Sequence, residues 1–320
     1  MYACIDLGSN SFHLLIAEKK KGRILLVERC SDKVQIGEGV QLNGKISAAA
    51  FARGLQSLRH FQSLIELYPV KGYWALGTNT FRTASNADDF IQAAADIGIQ
   101  VSIITGVQEA VLIYAGVISA LPATSNKRLV IDIGGGSTEI IVGKNHKRLI
   151  TQSLPVGCVA WRDRYFSEPV GHDVLAARFD EATRSARQLF QGVAPGINHY
   201  DWQETFASSG TAKMLAAVCH GQGYAAGQIS LDALTALREL MLKTISQGLE
   251  LPGLKEKRRD LLLPGCAVMS GLMTALNCDV IRFSPTALRE GMLEFMVKNP
   301  QTIKTVRNNQ MPEVSLPSGS

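Results

Sequence analysis

The chain has 320 residues, of which 46% are hydrophobic and 19% are charged, and its net charge is +5. These values are ordinary for a soluble globular protein and leave room for two domains, each with its own core. The six cysteines are scattered without a C-x-x-C pair, which indicates reduced thiols in a cytoplasmic protein.

Three local features argue against other classes of protein. Asp6 already lies inside the first predicted strand, which is not expected of a secretory signal. The longest apolar stretch, residues 110–123, is shorter than the roughly 20 residues that cross a bilayer, so we expect no integral membrane segment. The basic run at residues 255–259 has no interleaved aromatic residues, so we interpret it as a solvated loop and expect no nucleic-acid partner.

Two related glycine-rich motifs organise the chain. The first is "CIDLGSNSFHLLIA" at residues 4–17, and the second is "VIDIGGGSTEII" at residues 130–141. Asp6, Gly8 and Ser11 each have a counterpart of the same type 126 positions later, which indicates a duplicated unit. Each copy predicts a β-hairpin with a polar turn.

The remaining pattern predicts alternating strands and helices in both halves. Helices are predicted at about residues 47–68, 86–98, 108–121, 174–193, 211–221, 231–247, 258–276 and 286–297, and further strands at 23–30, 72–78, 100–105, 147–156, 204–210 and 279–284. The tail, residues 299–320, lacks apolar periodicity and is predicted to be disordered.

The glycine turns are suited to phosphate binding. Successive backbone amides without a Cβ in the way can point at one anion, and neighbouring hydroxyls add donors. A single glycine turn is commonly structural, but two matched copies favour a pair of phosphate clamps. The residues concerned are Gly8, Ser9 and Ser11 in the first turn, and Gly134, Gly135, Gly136, Ser137 and Thr138 in the second.

Acidic residues beside the turns suggest a magnesium site. Mg²⁺ binds carboxylates, waters and phosphate oxygens, and Asp6, Asp132 and Glu139 lie on or next to the turns. The alternative for each aspartate is a turn residue that bonds its own backbone.

Three further groups have both a structural and a functional interpretation. Thr105 and Gln108 predict a capping box, after which Glu109 either complements the helix dipole or serves as a base for an attacking water. Arg82, after a strand, is either solvated or paired with phosphate. The turn Ser209, Gly210 and Thr211 opens a helix and is a further candidate phosphate site.

Taken together, the motifs resemble the exopolyphosphatase / guanosine pentaphosphate phosphohydrolase (Ppx/GppA) family. The matching segments include "DLGSNSFHLLIA", "GTNTFRTASN", "QEAVLIYAGV", "LVIDIGGGSTEIIVG", "ASSGTAK" and "FSPTALREGML", in family order over residues 3–297. The resemblance implies an α/β fold of two ribonuclease-H-like domains, as in the acetate kinase/actin/Hsp70 superfamily, with an active-site cleft between them. We expect domain I at residues 1–122, with the helix at 286–298 packed back on it, and domain II at residues 123–285.

The resemblance also implies an activity and site residues. Members remove terminal phosphates from inorganic polyphosphate, or the 5′-phosphate from guanosine pentaphosphate, with Mg²⁺. By resemblance Glu109, Glu139 and Arg82 are catalytic, and Asn10 and Thr78 join the phosphate-binding residues. Many members have E-E-A where this chain has Gln108-Glu109-Ala110, and many longer members carry a C-terminal HD-type domain that we do not expect here.

Other activities stay open at this stage. A phosphotransferase of the same superfamily would use the same turns, and a non-enzymatic alarmone sensor or filament former would keep the fold. The sequence also leaves open the choice between polyphosphate and guanosine pentaphosphate and the oligomeric state, for which a homodimer is the expected form.

Overall fold

The computed structural model describes residues 1–20 and 23–298 and divides into two compact units. The first comprises the described residues up to Pro122 together with those from Thr286 onward, and the second is Ala123–Pro285. The tail at 299–320, predicted to be disordered, lies outside the described residues.

The first unit is a mixed five-stranded sheet with helices. Its strands, β1 to β5, are Tyr2–Leu7, Phe12–Lys20, Arg23–Asp32, Gly72–Gly77 and Val101–Ile103. The order is β3-β2-β1-β4-β5; β1, β2 and β3 are antiparallel, and β4 and β5 run parallel to β1. Its helices are α1 (Val40–Asn43), α2 (Ala48–Glu66), α3 (Asn79–Thr83), α4 (Ala87–Asp96), α5 (Gly106–Ser119) and, near the end of the described chain, α12 (Leu288–Lys298).

The second unit repeats this plan and adds a strand. Its strands, β6 to β11, are Arg128–Ile133, Thr138–Lys144, Lys147–Leu154, Glu204–Ser208, Gln228–Ser230 and Val280–Phe283, in the order β8-β7-β6-β9-β11-β10. Its helices are α6 (Cys158–Tyr165), α7 (His172–Gln191), α8 (Ala194–Asn198), α9 (Ser209–Gly221), α10 (Leu231–Gln247) and α11 (Leu262–Leu276), with a 3-10 helix at Glu256–Leu261.

The strand registers confirm the duplication. The first hairpin closes with Leu7 opposite Phe12, and the second closes with Ile133 opposite Thr138, each 126 residues later. The irregularity between β2 and β3 falls at Ile16/Ala17, and that between β7 and β8 falls at Val142/Gly143, again 126 residues apart. The two copies therefore share details of backbone geometry as well as strand order.

The prediction of a helix over residues 258–276 is wrong about where the helix begins. The 3-10 helix covers Glu256–Leu261, and the α-helix begins only at Leu262. Pro264 explains this boundary, because a proline has no amide to donate and is tolerated only in the first turn of an α-helix.

Two glycines allow α5 and α12 to touch in the first unit. A Cβ on Gly116 would lie 1.9 Å from the carbonyl oxygen of Ala287, and a Cβ on Gly291 would lie 1.8 Å from that of Leu112. No side chain fits between these backbones, so the last described helix is held against the first unit by close backbone contact.

We predict that Gly116→Ala destabilises the protein, because its methyl group forces the two helices apart. The expected loss in the free energy of unfolding is about 1–3 kcal/mol, as for other overpacked sites. Gly171→Ala is the matched control, since a Cβ there meets nothing within 4 Å. Urea denaturation of both variants tests this, and equal midpoints would contradict the contact.

Candidate active site

In the first unit, three parallel strands bring the candidate residues to one edge of the sheet. Leu7 of β1 lies beside Gly77 of β4, and Gly77 lies beside Ile103 of β5. The turn of Gly8, Ser9, Asn10 and Ser11 follows β1, Thr78 follows β4, and the start of α5 follows β5. The carboxyl ends of parallel strands form such an edge, and ligands of α/β proteins bind there.

The first glycine turn is held from behind by the segment that follows β3. The amide of Gly37 donates to the Ser9 carbonyl, and the amide of Gln35 donates to the Asn10 carbonyl, each at 2.9 Å. The Thr80 hydroxyl donates to the Ser9 hydroxyl at 2.8 Å. A Cβ on Gly37 would lie 2.7 Å from the Thr80 Oγ1, so a glycine is needed at this contact.

Glu109 and Arg82, both predicted site residues, form an ion pair. The Arg82 Nη1 donates to Glu109 Oε2 and to the Ile104 carbonyl oxygen, each at 2.8 Å. The Arg82 side chain is only 20% exposed, and the Glu109 side chain only 11%. Burial raises the pKa of the Glu109 carboxyl above its ordinary value, while the Arg82 charge acts in the opposite direction. Arg82 therefore orients the carboxylate, a role that the sequence analysis did not anticipate.

The capping box predicted for α5 is confirmed and fixes the position of Glu109. The Thr105 hydroxyl accepts from the Gln108 amide at 3.2 Å, and the Gln108 side chain accepts from the Thr105 amide at 2.8 Å. Gln108 thus has a structural function at the position where many relatives were expected to have glutamate.

In the second unit, Asp132 and Glu139 lie opposite each other on β6 and β7. Directly opposed residues of antiparallel strands lie on the same face of a sheet. The Ser208 hydroxyl, at the end of β9, donates to Asp132 Oδ2, and the Ser153 hydroxyl donates to Glu139 Oε1 at 2.8 Å. Both acids are buried. The sequence analysis missed the two serines, since nothing local links them to the acids.

The corresponding position in the first unit differs in its chemistry. Asp6 lies opposite His13 in the register of β1 and β2. His13 occupies the place that Glu139 has in the second unit. Of the two hairpins, only the second brings two carboxylates together.

The second glycine turn, Gly134 to Ser137, is held by the start of α6. The amides of Cys158 and Val159 donate to the carbonyls of Gly134 and Gly135 at 3.0 and 2.8 Å. A Cβ on Gly157 would lie 2.4 Å from the Gly135 carbonyl oxygen. Within the turn, the Gly134 amide donates to the Ser137 carbonyl at 2.9 Å, so the amides of Gly135, Gly136 and Ser137 are the turn's candidate donors to a ligand.

The predicted role of Thr138 needs a correction. We predicted its hydroxyl at the rim of this turn, but Thr138 is fully buried and its hydroxyl donates to the Val156 carbonyl. It anchors β7 to the segment that precedes α6, because a buried hydroxyl needs a hydrogen-bond partner.

The predicted turn at Ser209, Gly210 and Thr211 opens α9 and contacts a residue that we did not predict. Ser209 has a φ of 84°, and its hydroxyl accepts from the amides of Thr211 and Ala212 at 3.2 and 3.3 Å. A Cβ on Gly210 would lie 2.2 Å from Arg258 Nη2, so the guanidinium packs directly against the backbone of Gly210.

Arg258 also corrects the interpretation of the basic run as a solvated loop. The run forms part of the 3-10 helix, and Arg259 donates to the Leu249 carbonyl at 2.9 Å and to Glu256 at 2.9 Å. Arg258 forms no ion pair with a carboxylate of the described residues, and it lies at the positive end of α9. A cation there is unfavourable by itself, so the arrangement favours a bound anion.

Comparison with known proteins places the chain in a family. The sequence profile of the Ppx/GppA phosphatase family matches residues 15–299. The chain belongs to this family. A Haemophilus influenzae relative, provisionally named an exopolyphosphatase, is 35% identical over 302 residues, which is 93% of this chain and 92% of the relative.

Solved structures agree with this membership. The crystal structure of an exopolyphosphatase from Cytophaga hutchinsonii has a TM-score of 0.82 at 27% identity and covers 93% of this chain and 98% of that one. The Aquifex aeolicus Ppx/GppA family member has the same fold, with a TM-score of 0.73 at 23% identity, and covers 93% and 98%. The predicted fold of two ribonuclease-H-like α/β domains of the acetate kinase/actin/Hsp70 superfamily is confirmed, and the chain is a phosphatase of the Ppx/GppA family.

No helix within residues 1–20 and 23–298 combines the length and the apolar character of a membrane-spanning segment.

We predict that Arg82→Gln raises the pKa of Glu109 further, because it removes the cation that opposes the effect of burial. Carbon-13 NMR titration of the glutamate carboxyl groups measures this shift without any assumption about catalysis. Arg53→Gln is the control, since Arg53 pairs with the exposed Glu38. An unchanged pKa of Glu109 in Arg82→Gln would contradict the electrostatic role of the pair.

Proposed function

We propose that this Ppx/GppA phosphatase releases terminal orthophosphate from inorganic polyphosphate, with Mg²⁺ as its cofactor and Glu109 as the general base. The observation that carries the proposal is the buried Glu109 carboxylate, which Arg82 holds at the strand-end edge of the first unit. The relatives named as exopolyphosphatases support the choice of substrate.

Both glycine turns and the start of α9 are proposed to bind phosphate oxygens. Polyphosphate carries a negative charge on every phosphate group, so its recognition needs several hydrogen-bond donors or positive charges. The backbone amides of the turns, the hydroxyls of Ser11 and Ser137, and the Arg258 guanidinium are groups of the required kind. Arg258 adds a full positive charge at Gly210, where the backbone alone has only a partial one.

Asp132 and Glu139 are the proposed Mg²⁺ ligands. Two carboxylates with two hydroxyls beside them form an oxygen-only donor set, which is what Mg²⁺ prefers. Magnesium bound there would neutralise charge on the phosphate oxygens. Asp6 was also predicted as a ligand, but the residue opposite it is His13, and imidazole is a poorer ligand for Mg²⁺.

Glu109 is proposed to take the proton from the attacking water. The water oxygen forms a bond to the terminal phosphorus in line with the bridging oxygen, and the bond from that phosphorus to the bridging oxygen breaks. Orthophosphate leaves, and the remaining polyphosphate is one phosphate shorter. A pKa raised by burial makes Glu109 a better proton acceptor than an exposed carboxylate, and Arg82 fixes its orientation.

We predict that Glu109→Gln lowers kcat for orthophosphate release about 10²- to 10⁴-fold, as expected for a lost general base. The assay compares long-chain polyphosphate, short-chain polyphosphate and guanosine pentaphosphate with Mg²⁺. The exposed Glu66→Gln is the matched control.

Each outcome of this assay has a distinct meaning. Near-normal turnover in Glu109→Gln would refute the base assignment. Release from guanosine pentaphosphate alone would identify a pentaphosphate phosphohydrolase, the alternative within the family. Formation of ATP from polyphosphate and ADP would identify a phosphotransferase instead.

We predict that Arg258→Gln raises KM for polyphosphate more than it lowers kcat, because a binding contact present before and during the reaction mainly affects KM. A lost charge-assisted hydrogen bond is worth about 1.5–3 kcal/mol, or roughly 10- to 100-fold. Lys257→Gln removes the same charge from an exposed neighbour and is expected to change KM little. Equal effects of both variants would show only a general charge effect.

A further inference from the structure

A second group of candidate ligands lies in the first unit, on β3 and α2. Cys30 and Asp32 are on β3, and His60 is on α2. The Cys30 Sγ is 3.9 Å from Asp32 Oδ1, and the His60 Nδ1 is 3.5 Å from Asp32 Oδ2. One donor atom from each of the three side chains lies within 4.8 Å of the other two. Ligand atoms on a single metal ion have separations of this order.

The backbone holds these side chains in place. Cys30 and Asp32 are two residues apart on a strand, so they lie on the same face. His60 and Ser57 are three residues apart on a helix and share a face as well. The Ser57 hydroxyl donates to Asp32 Oδ2 at 2.8 Å and orients that carboxylate. Hydrogen bonds of this kind typically support the ligands of metal sites.

The site is open to solvent and chemically different from the Asp132–Glu139 pair. Cys30 is partly exposed, whereas the other five cysteines are buried. The side chains of His60 and Asp32 are 50% and 32% exposed, respectively. A thiolate, an imidazole and a carboxylate are ligands typical of Zn²⁺, whereas Mg²⁺ prefers oxygen ligands only.

We propose that Cys30, Asp32 and His60 bind a Zn²⁺ ion, with water in the fourth position. The ion would join the edge strand β3 to helix α2, which are otherwise linked by side-chain contacts. A ligand that binds only the folded state stabilises it by mass action, so Zn²⁺ is expected to raise the midpoint of thermal unfolding.

Cobalt(II) is the probe that tests this site, because its spectrum reports a bound thiolate. Titration of the full chain with Co²⁺ should give a thiolate-to-metal charge-transfer band and the strong visible bands of a tetrahedral ion. Added Zn²⁺ should remove both sets of bands. An ion bound only at Asp132 and Glu139 cannot give the thiolate band, so the result does not depend on the proposed function.

Two variants test the proposed ligands, and a third is the control. Cys30→Ser should abolish the charge-transfer band, and His60→Ala should weaken Co²⁺ binding at least 10-fold, as should loss of any one ligand. His172→Ala should change neither, although His172 also faces a carboxylate, that of Glu239, at 2.9 Å. Both ligand variants alter exposed or partly exposed side chains, and circular dichroism checks that they fold.

The results of these titrations either support or overturn the Zn²⁺ site. A thiolate band that is lost in Cys30→Ser, with a Zn²⁺-dependent shift of the unfolding midpoint only in the wild type, supports the site. Absence of the band in the wild type, its persistence in Cys30→Ser, or unchanged affinity in His60→Ala would overturn the proposal.

Discussion

Parallel pairing of the first strand of each unit with its fourth strand fixes the position of almost every candidate group. In the first unit β1 pairs with β4, and in the second β6 pairs with β9. Each pairing puts a glycine turn beside the start of a helix, and so gathers backbone amides, hydroxyls and carboxylates at one edge of the sheet. A shift of one residue in either register would turn Asp132 or Asp6 to the opposite face and would separate it from its cross-strand neighbour.

Gathering polar groups at a buried edge is unfavourable unless they satisfy one another, and the structure shows how they do so. Glu109 is paired with Arg82, Asp132 accepts from Ser208, and Glu139 accepts from Ser153. Behind the α9 turn, Arg162 donates to Asp163 and Asp260 at 2.7 and 2.9 Å. Asp260 lies two residues after Arg258 in the 3-10 helix, so this network fixes the segment that carries the unpaired guanidinium. A buried charge is tolerated only with such partners.

The sequence was sufficient for features that depend on local pattern. The duplication, the hairpins, the capping box at Thr105 and Gln108, and the two-domain fold were all predicted correctly. Contacts between distant segments were not predictable, because no local pattern records them. The partner of Arg82 is 27 residues away, and Arg258 reaches Gly210 from a run whose composition is typical of a solvated loop. Thr138 was misplaced for the same reason, since its hydroxyl bonds Val156 on a separate segment. The short strand β10 has too few residues for a periodic signal.

The differences between the two copies follow from one shared constraint. In both units a glycine after the third strand packs against the second residue of the turn: Gly37 against Ser9, and Gly157 against Gly135. This contact keeps the turn backbone in place while the side chains around it change. With the backbone fixed, the residue opposite the aspartate is free to differ, and it is His13 in one copy and Glu139 in the other. Only the second copy then has the paired carboxylates suited to a hard cation. In the first copy, the helix that follows β5 carries Glu109, whose carboxylate is paired with Arg82. The duplicated scaffold thus carries unlike chemistry in its two halves, and the proposed reaction assigns the metal-binding role to one half and the proton-accepting role to the other.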